Sequence, residues 1–309
     1  MVRIIAKLIA VTIVLTAFLH TAPLSAAPVV WVSSAGSDAN PCTAAQPCAS
    51  FLIAGEHRDN GGQTNCIDSP GVSETNLGDS GSFSIDCAGT YETSSPNVGA
   101  IFLIGTNQEV RIRNLTISGL AGGYPAIKVT GSGTLILENC VFENLPGTAL
   151  DIEPNGAFNL IVTNSRISNS ASGVLIKPAA GGSVTAAFNG VTIANNTGGG
   201  LKTDTTNGLV SVDISNSTIN NNVGNGMNAV SGAGGTNMLN IKNSVIARNG
   251  SAGVQANGAS AAALVNNTLL DTNVAGATSA VGGGRVLTYG NNQIVGTPGS
   301  GFTGTASLQ

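Results

Sequence analysis

A six-residue motif, apolar-x-Asn-x-x-apolar, governs what this chain can fold into, because it returns eight times between Ile112 and Ile294. Seven copies carry an asparagine: Asn114, Asn139, Asn164, Asn216, Asn243, Asn267 and Asn291. The remaining copy, Phe188-x-Gly190-x-x-Ile193, puts glycine in that slot. The closing apolar residues, from Ile117 to Ile294, are spaced by 25, 25, 26, 26, 27, 24 and 24 residues. A second element keeps step with the first: Ala126-Ile127, Ala149-Leu150, Gly173-Val174, Gly200-Leu201, Gly226-Met227, Gly253-Val254 and Gly276-Ala277. Self-similarity at a fixed period marks units that bury their apolar faces only by stacking on their neighbours.

Spacing within each unit decides between strand and helix. Apolar and polar residues alternate over three to five positions, as in Val210-Ser211-Val212-Asp213-Ile214, which is the period of a half-buried strand. Asn-Gly dipeptides (Asn155-Gly156, Asn225-Gly226, Asn249-Gly250) separate these runs and supply turns. Three short strands per coil, each beneath its counterpart one coil away, give an all-β parallel solenoid of about eight regular coils. At about 4.8 Å per rung it would extend roughly 38 Å. The asparagine column is expected to form an amide ladder along the stack, since each side chain offers both donors and an acceptor. A leucine-rich-repeat solenoid shares the period and an asparagine, but its leucine slots are mostly Ile, Val or Ala here.

Before Ile112 the pattern is less regular. Arg3 and Lys7, an apolar run from Leu8 to Leu19 and the small residues Ser25-Ala26-Ala27 form a signal peptide expected to be cut after Ala26. No later apolar run is long enough to span a bilayer. Export places all five cysteines where disulfides persist. Cys42 and Cys48 flank a Pro-rich loop and suit a local staple, Cys66 and Cys87 could bridge neighbouring coils, and Cys140 suits a small buried hydrophobe. Residues around Ala49–His57 suit a short helix capping the open end of the stack. Asn65–Asp68, Ser82–Cys87 and Ala100–Ile104 look like strands of degenerate first coils, whereas no comparable cap is evident after Ile294. The expected organisation is a signal peptide over 1–26, an entry, cap and irregular coils over 27–108, and regular repeats over 109–309.

The asparagine column and the Gly-apolar-x-apolar triplets over Glu109–Gly304 resemble the right-handed parallel β-helix, pectin-lyase-like superfamily. The entry segment Trp31-Val32-Ser33-Ser34-Ala35-Gly36-Ser37-Asp38, with Asn40-Pro41-Cys42 and Pro47-Cys48-Ala49, is similar to the start of many secreted bacterial members. The resemblance implies the fold and leaves activity open, because that fold hosts lyases, hydrolases, epimerases and adhesins. The Asn-Thr-Asp, Asp-Asp, Gly-His-Gly and Arg-Ile-Lys motifs of its polygalacturonase-like enzymes are missing from the sequence. So are the Trp-x-Asp-His and Arg-x-Pro-x-x-Arg segments of its pectate-lyase-like ones.

Chemistry would have to sit on the outward side of the stack. In the second triplet the outward column reads Lys128, Asp151, Leu175, Lys202, Asn228, Gln255 and Thr278. Two residues further on it reads Thr130, Glu153, Lys177, Asp204, Val230 and Asn257. Lys128, Asp151, Glu153, Lys177, Lys202 and Asp204 thus gather on about four rungs of a chain in which only 9% of residues are charged. They form a candidate ligand face, or else a ladder of exposed salt bridges that neutralises itself. The cleaved chain would hold ten basic against sixteen acidic residues, with no Lys/Arg-rich run, so nucleic acid is not an expected partner. No Cys/His spacing suggests zinc, and no cofactor is implied. His57, on the expected cap, is read as incidental.

Two functional classes follow. The favoured one is a secreted or periplasmic β-helix with no recognisable catalytic set, binding polysaccharide or serving as a scaffold. The other is a polysaccharide lyase or glycoside hydrolase acting on an acidic polysaccharide. In it the lysines pair substrate carboxylates, and the acidic residues serve as acid and base or hold Ca²⁺.

Overall fold

The computed structural model describes residues 29–58, 60–68, 75–76, 81–87, 101–103, 105–119, 122–206, 208–232 and 234–306; the expected signal peptide lies outside them. The chain winds into a right-handed parallel β-helix whose coils each visit three parallel sheets of twelve, eight and nine strands. One coil shows the pattern. Gly133–Glu138 belongs to the first sheet, Val141–Glu143 to the second and Thr148–Ile152 to the third, and the next coil begins at Ala157–Thr163. Equivalent residues stack in strict register, so Phe142 lies between Ile117 and Ile167, and Leu150 between Ile127 and Val174. Leu135, Leu137, Phe142, Leu150 and Ile152 are fully buried, which puts a thin apolar column at the axis.

The asparagine motif marks the corner between the first and second sheets. Asn114, Asn139, Asn164, Asn216, Asn243 and Asn267 have φ between 43° and 58°, the left-handed region that asparagine tolerates better than most L-residues. Gly190, with φ 66°, meets the same demand, so one backbone requirement accounts for both residue types. In the last coil Gly290 takes the left-handed position, one residue before Asn291.

The expected ladder through this column is intermittent. Asn139 donates to Asn114 at 3.4 Å and Asn267 to Asn243 at 2.9 Å, whereas Asn216 turns to Asn189 and Asn291 to Asn266. Most of these side chains are exposed, and water competes for their amides. An unbroken ladder stands six residues further along each coil, at the corner between the second and third sheets. Asn196, Asn222, Asn249 and Asn273 are buried, and each Nδ2 donates to the next Oδ1 at 2.8, 3.0 and 2.9 Å. The same oxygens accept backbone N–H groups from the preceding coil, at 3.1 Å from Asn196 and 3.2 Å from Asn222. Burial makes these bonds matter, because an orphaned member would cost about 1–3 kcal/mol.

Glycine in the second triplet answers to crowding. A Cβ on Gly200 would lie 2.5 Å from the carbonyl oxygen of Gly226, one coil on.

The ends differ. Near the N-terminus, Val29–Val32, Gln63–Cys66 and Phe83–Asp86 extend the first sheet through irregular coils. The helix α1, Phe51–His57, is N-capped by Ser50 and buries Phe51 and Ala54. Disulfides Cys42–Cys48 and Cys66–Cys87 staple this region, and Cys140 is a buried free thiol pushed up to about 11 by burial. The C-terminal end is better covered than expected. Residues 297–306 make a partial coil, Gly304–Thr305 pairs with Leu287–Thr288, and Phe302 packs against the core. No helix among the described residues is long and apolar enough to cross a membrane.

Candidate functional site

The third sheet carries the outward columns anticipated from the repeat. Lys128, Asp151, Leu175, Lys202, Asn228 and Gln255 are in register on adjacent strands. The next position is Ser279 rather than Thr278, whose side chain points inward and is fully buried. The offset of 24 residues between Asn249 and Asn273 carries through to Val254 and Thr278, so Ala277 rather than Gly276 fills the slot of Gly253 and the threonine takes the inward position.

The six charged candidates share this face without acting as one unit. Lys128 Nζ donates to Asp151 Oδ2 at 2.6 Å and to Glu153 Oε2 at 2.5 Å. Burial opposes the Lys128 charge, yet these two carboxylates outweigh it and hold the ammonium above its usual range. Asp151 is pushed up chiefly by burial, against the pull of Lys128, and its Oδ1 is buried without a hydrogen-bond partner. Two coils on, Lys202 faces Asp204 at 3.6 Å. Partial burial works against the Asp204 charge, but bonds from the Thr206 hydroxyl (2.6 Å) and N–H (3.0 Å), with Lys202 and Lys177 nearby, hold it below the usual carboxylate range. Lys177 is exposed and forms no ion pair within 4 Å among the described residues. The alternating ladder Glu153–Lys177–Asp204 therefore does not close; the ion pairs run Lys128–Asp151, Lys128–Glu153 and Lys202–Asp204.

Elsewhere three of the arginines are ion-paired on other faces. Arg113 meets Asp86 at 3.0 Å, Arg166 meets Glu143 at 2.7 Å and Arg111 meets Glu138 at 3.5 Å. His57 is exposed at the end of α1. No group of three or more His, Cys, Asp or Glu suited to a metal occurs among the described residues.

Beside the charged cluster lies a groove of about 430 Å³ that crosses four coils, from Thr148 to Asn228. Leu175, Lys202 and Asn228 form its floor, and Ser172 its near edge. The corner segments Thr197–Gly199 and Val223–Asn225 form its wall. These segments directly follow Asn196 and Asn222, so the buried ladder fixes the wall. Of the six charged candidates, Lys202 alone lines the groove. Asn228 is the residue that sequence reasoning placed in the column but did not single out. Its Oδ1 is buried without a partner, whereas Gln255, next in the column, is tied to Asn225 and Ser279 at 3.2 Å each. The wall was missed because its residues lie on corners whose projection no alternation pattern fixes.

Fold and face together define a right-handed parallel β-helix with an open lateral groove. The family model for the right-handed β-helix region matches residues 99–269, and the chain belongs to that family. Among solved structures it is similar to pectate lyase Pel9A, at 17% identity and a TM-score of 0.61, covering 90% of this chain and 78% of that one. It also aligns with the GH136 lacto-N-biosidase from Eubacterium ramulus at 11% identity and a TM-score of 0.45, covering 91% and 67% of the two chains. No curated protein matches the sequence.

Proposed function

We propose that this chain is an exported, non-catalytic β-helix that binds a polysaccharide along its third sheet. The groove carries the reading: a rigid trough over four coils lined by hydroxyls, the amides of Asn225 and Asn228 and a lysine, suited to an elongated, hydroxyl-rich ligand. Three inter-coil steps give it a length of about 14 Å, room for a short run of sugars. The fold shared with a pectate lyase is consistent with a glycan ligand, and the two disulfides support export.

The test is affinity electrophoresis of the mature protein through gels containing uronic-acid and neutral polysaccharides. Retardation by at least one polymer, abolished in Asn228→Ala/Lys202→Ala, is the expected result. Free migration through all of them would sink the reading.

One observation favours a hydrolytic or lyase alternative: Asp151 and Asp204 share a face and are shifted in opposite directions, as acid and base partners often are. Unsaturated products or new reducing ends, lost in Asp151→Asn, would replace binding with catalysis.

A further inference from the structure

We infer that Asn155 is a site of spontaneous deamidation, at which the folded protein converts a side-chain amide to a carboxylate. Asn-Gly pairs are suited to this chemistry because glycine leaves the following backbone nitrogen unhindered, and seven such pairs occur in the chain. The glycine nitrogen attacks Cγ of the asparagine. As the N–Cγ bond forms, the Cγ–Nδ2 bond breaks, ammonia leaves and the glycine amide proton passes to solvent. Water then opens the resulting five-membered imide at either carbonyl, giving aspartate or its isoaspartyl isomer. The balance needs water alone. Three things must be free for it to proceed: the glycine N–H, the asparagine side chain and access to solvent.

Among the described pairs, Asn155-Gly156 alone meets all three conditions. It forms the turn between Thr148–Ile152 and Ala157–Thr163, and Asn155 is exposed. The Asn155 side chain makes no hydrogen bond among the described residues, and neither does the Gly156 N–H; only the Asn155 N–H is held, by the Thr130 carbonyl at 3.1 Å. Stacking ties down the others. Gly61 N–H donates to Ser82 at 2.6 Å, Gly190 to Ser215 at 3.1 Å, Gly226 to Ala252 at 3.0 Å, Gly250 to Asn222 at 2.7 Å and Gly258 to Val281 at 2.9 Å, each at a backbone carbonyl. Four of the asparagines before them are held as well. Asn60 and Asn225 accept backbone N–H groups, Asn189 accepts from Ser215 and Asn216, and Asn249 is buried in the amide ladder. Asn207 lies outside the described residues. The new carboxylate would stand two residues after Glu153, on a segment whose Asp151 and Glu153 already share Lys128. The isoaspartyl form also adds a methylene to the backbone just before the strand Ala157–Thr163.

The experiment ages the mature protein in warm, mildly alkaline buffer and follows each Asn-Gly peptide by mass spectrometry, with isoaspartyl methyltransferase labelling to mark the isomer. Acid formation at Asn155 is expected to run about tenfold or more faster than at Asn60, Asn189, Asn225, Asn249 or Asn257, whose bonds must open first. In concentrated urea, where that protection is gone, the six rates should come within about threefold of one another. Gly156→Ala, whose methyl group shields the nitrogen, should slow Asn155 in the folded and the unfolded chain alike. Acid formation in the folded protein that is as fast at any of the other five overturns the inference. So does an Asn155 that reacts only in urea, or one whose rate Gly156→Ala leaves unchanged.

Discussion

The two ends of the third-sheet face are built on opposite principles. Around Lys128, charge is concentrated and spent internally: one ammonium serves two carboxylates, and little remains for a ligand. Around Asn228, charge is sparse and an open groove with apolar patches runs beside the column. The contrast teaches that a conspicuous cluster of charges can act as a structural clamp, while the groove proposed to take the ligand lies beside it. Density of charged residues is a poor guide to function when each charge already has its counter-ion at hydrogen-bond distance.

The sharpest way to break this comparison is to cut the clamp. Lys128→Ala leaves Asp151 and Glu153 facing each other without their cation, Asp151 largely buried. It should lower stability by about 2–3 kcal/mol in urea denaturation while leaving glycan affinity within about twofold. A large loss of affinity in a folded Lys128→Ala protein would move the site to the charged end. At the other end, Asn228→Ala should do the reverse. Stability should change by less than about 0.5 kcal/mol, and affinity for the best glycan should fall about tenfold, some 1.4 kcal/mol.

The two aspartates sharpen the contrast through pH. Asp204 is held low in the folded chain, so its stabilising contribution is present above the ordinary carboxylate pKa and lost as pH falls through its native value. Asp204→Asn should therefore cost about 1 kcal/mol at pH 7, with the difference from wild type vanishing in acid. Asp151 is raised, so its contribution is full at low pH and declines as pH rises through its native value. The gap between wild type and Asp151→Asn should move in favour of the variant on going from pH 3 to pH 7. Thermal melts of both variants across that range check the signs. The smallest effect is expected for Lys202→Ala. Its half-exposed ammonium should be worth about threefold in affinity or less, diminishing with added salt.

Much of this architecture was legible because stacking repeats its own instructions. The period, the strand alternation and the two outward columns were set by residues such as Ile112, Phe142 and Val162, whose burial follows directly from position. The capping helix was readable from Ala49–His57 because it breaks the strand pattern. Roles of polar residues were less legible. An asparagine favours both a left-handed corner and an amide ladder, and the sequence alone does not separate the two. The Asn164 and Asn243 column turned out to serve the corner. Asn222 and Asn249, which lie outside the most regular motif, carry the buried ladder. Thr278 was misplaced by one residue because Gly276-Ala277 mimics the Gly253-Val254 pair, whereas the inward slot of that strand is filled by a threonine instead of an apolar residue. The groove was invisible for a related reason: it is bounded by Thr197–Gly199 and Val223–Asn225, whose placement depends on how corners stack.

A structure of the complex tests the account most directly: crystals of the protein soaked with an oligosaccharide of the polymer that retards it most in the gels. Sugar density is predicted over Leu175, Lys202 and Asn228, along the groove. Density seated instead over Lys128, Asp151 and Glu153, with the groove empty, would contradict the division of labour between the two ends.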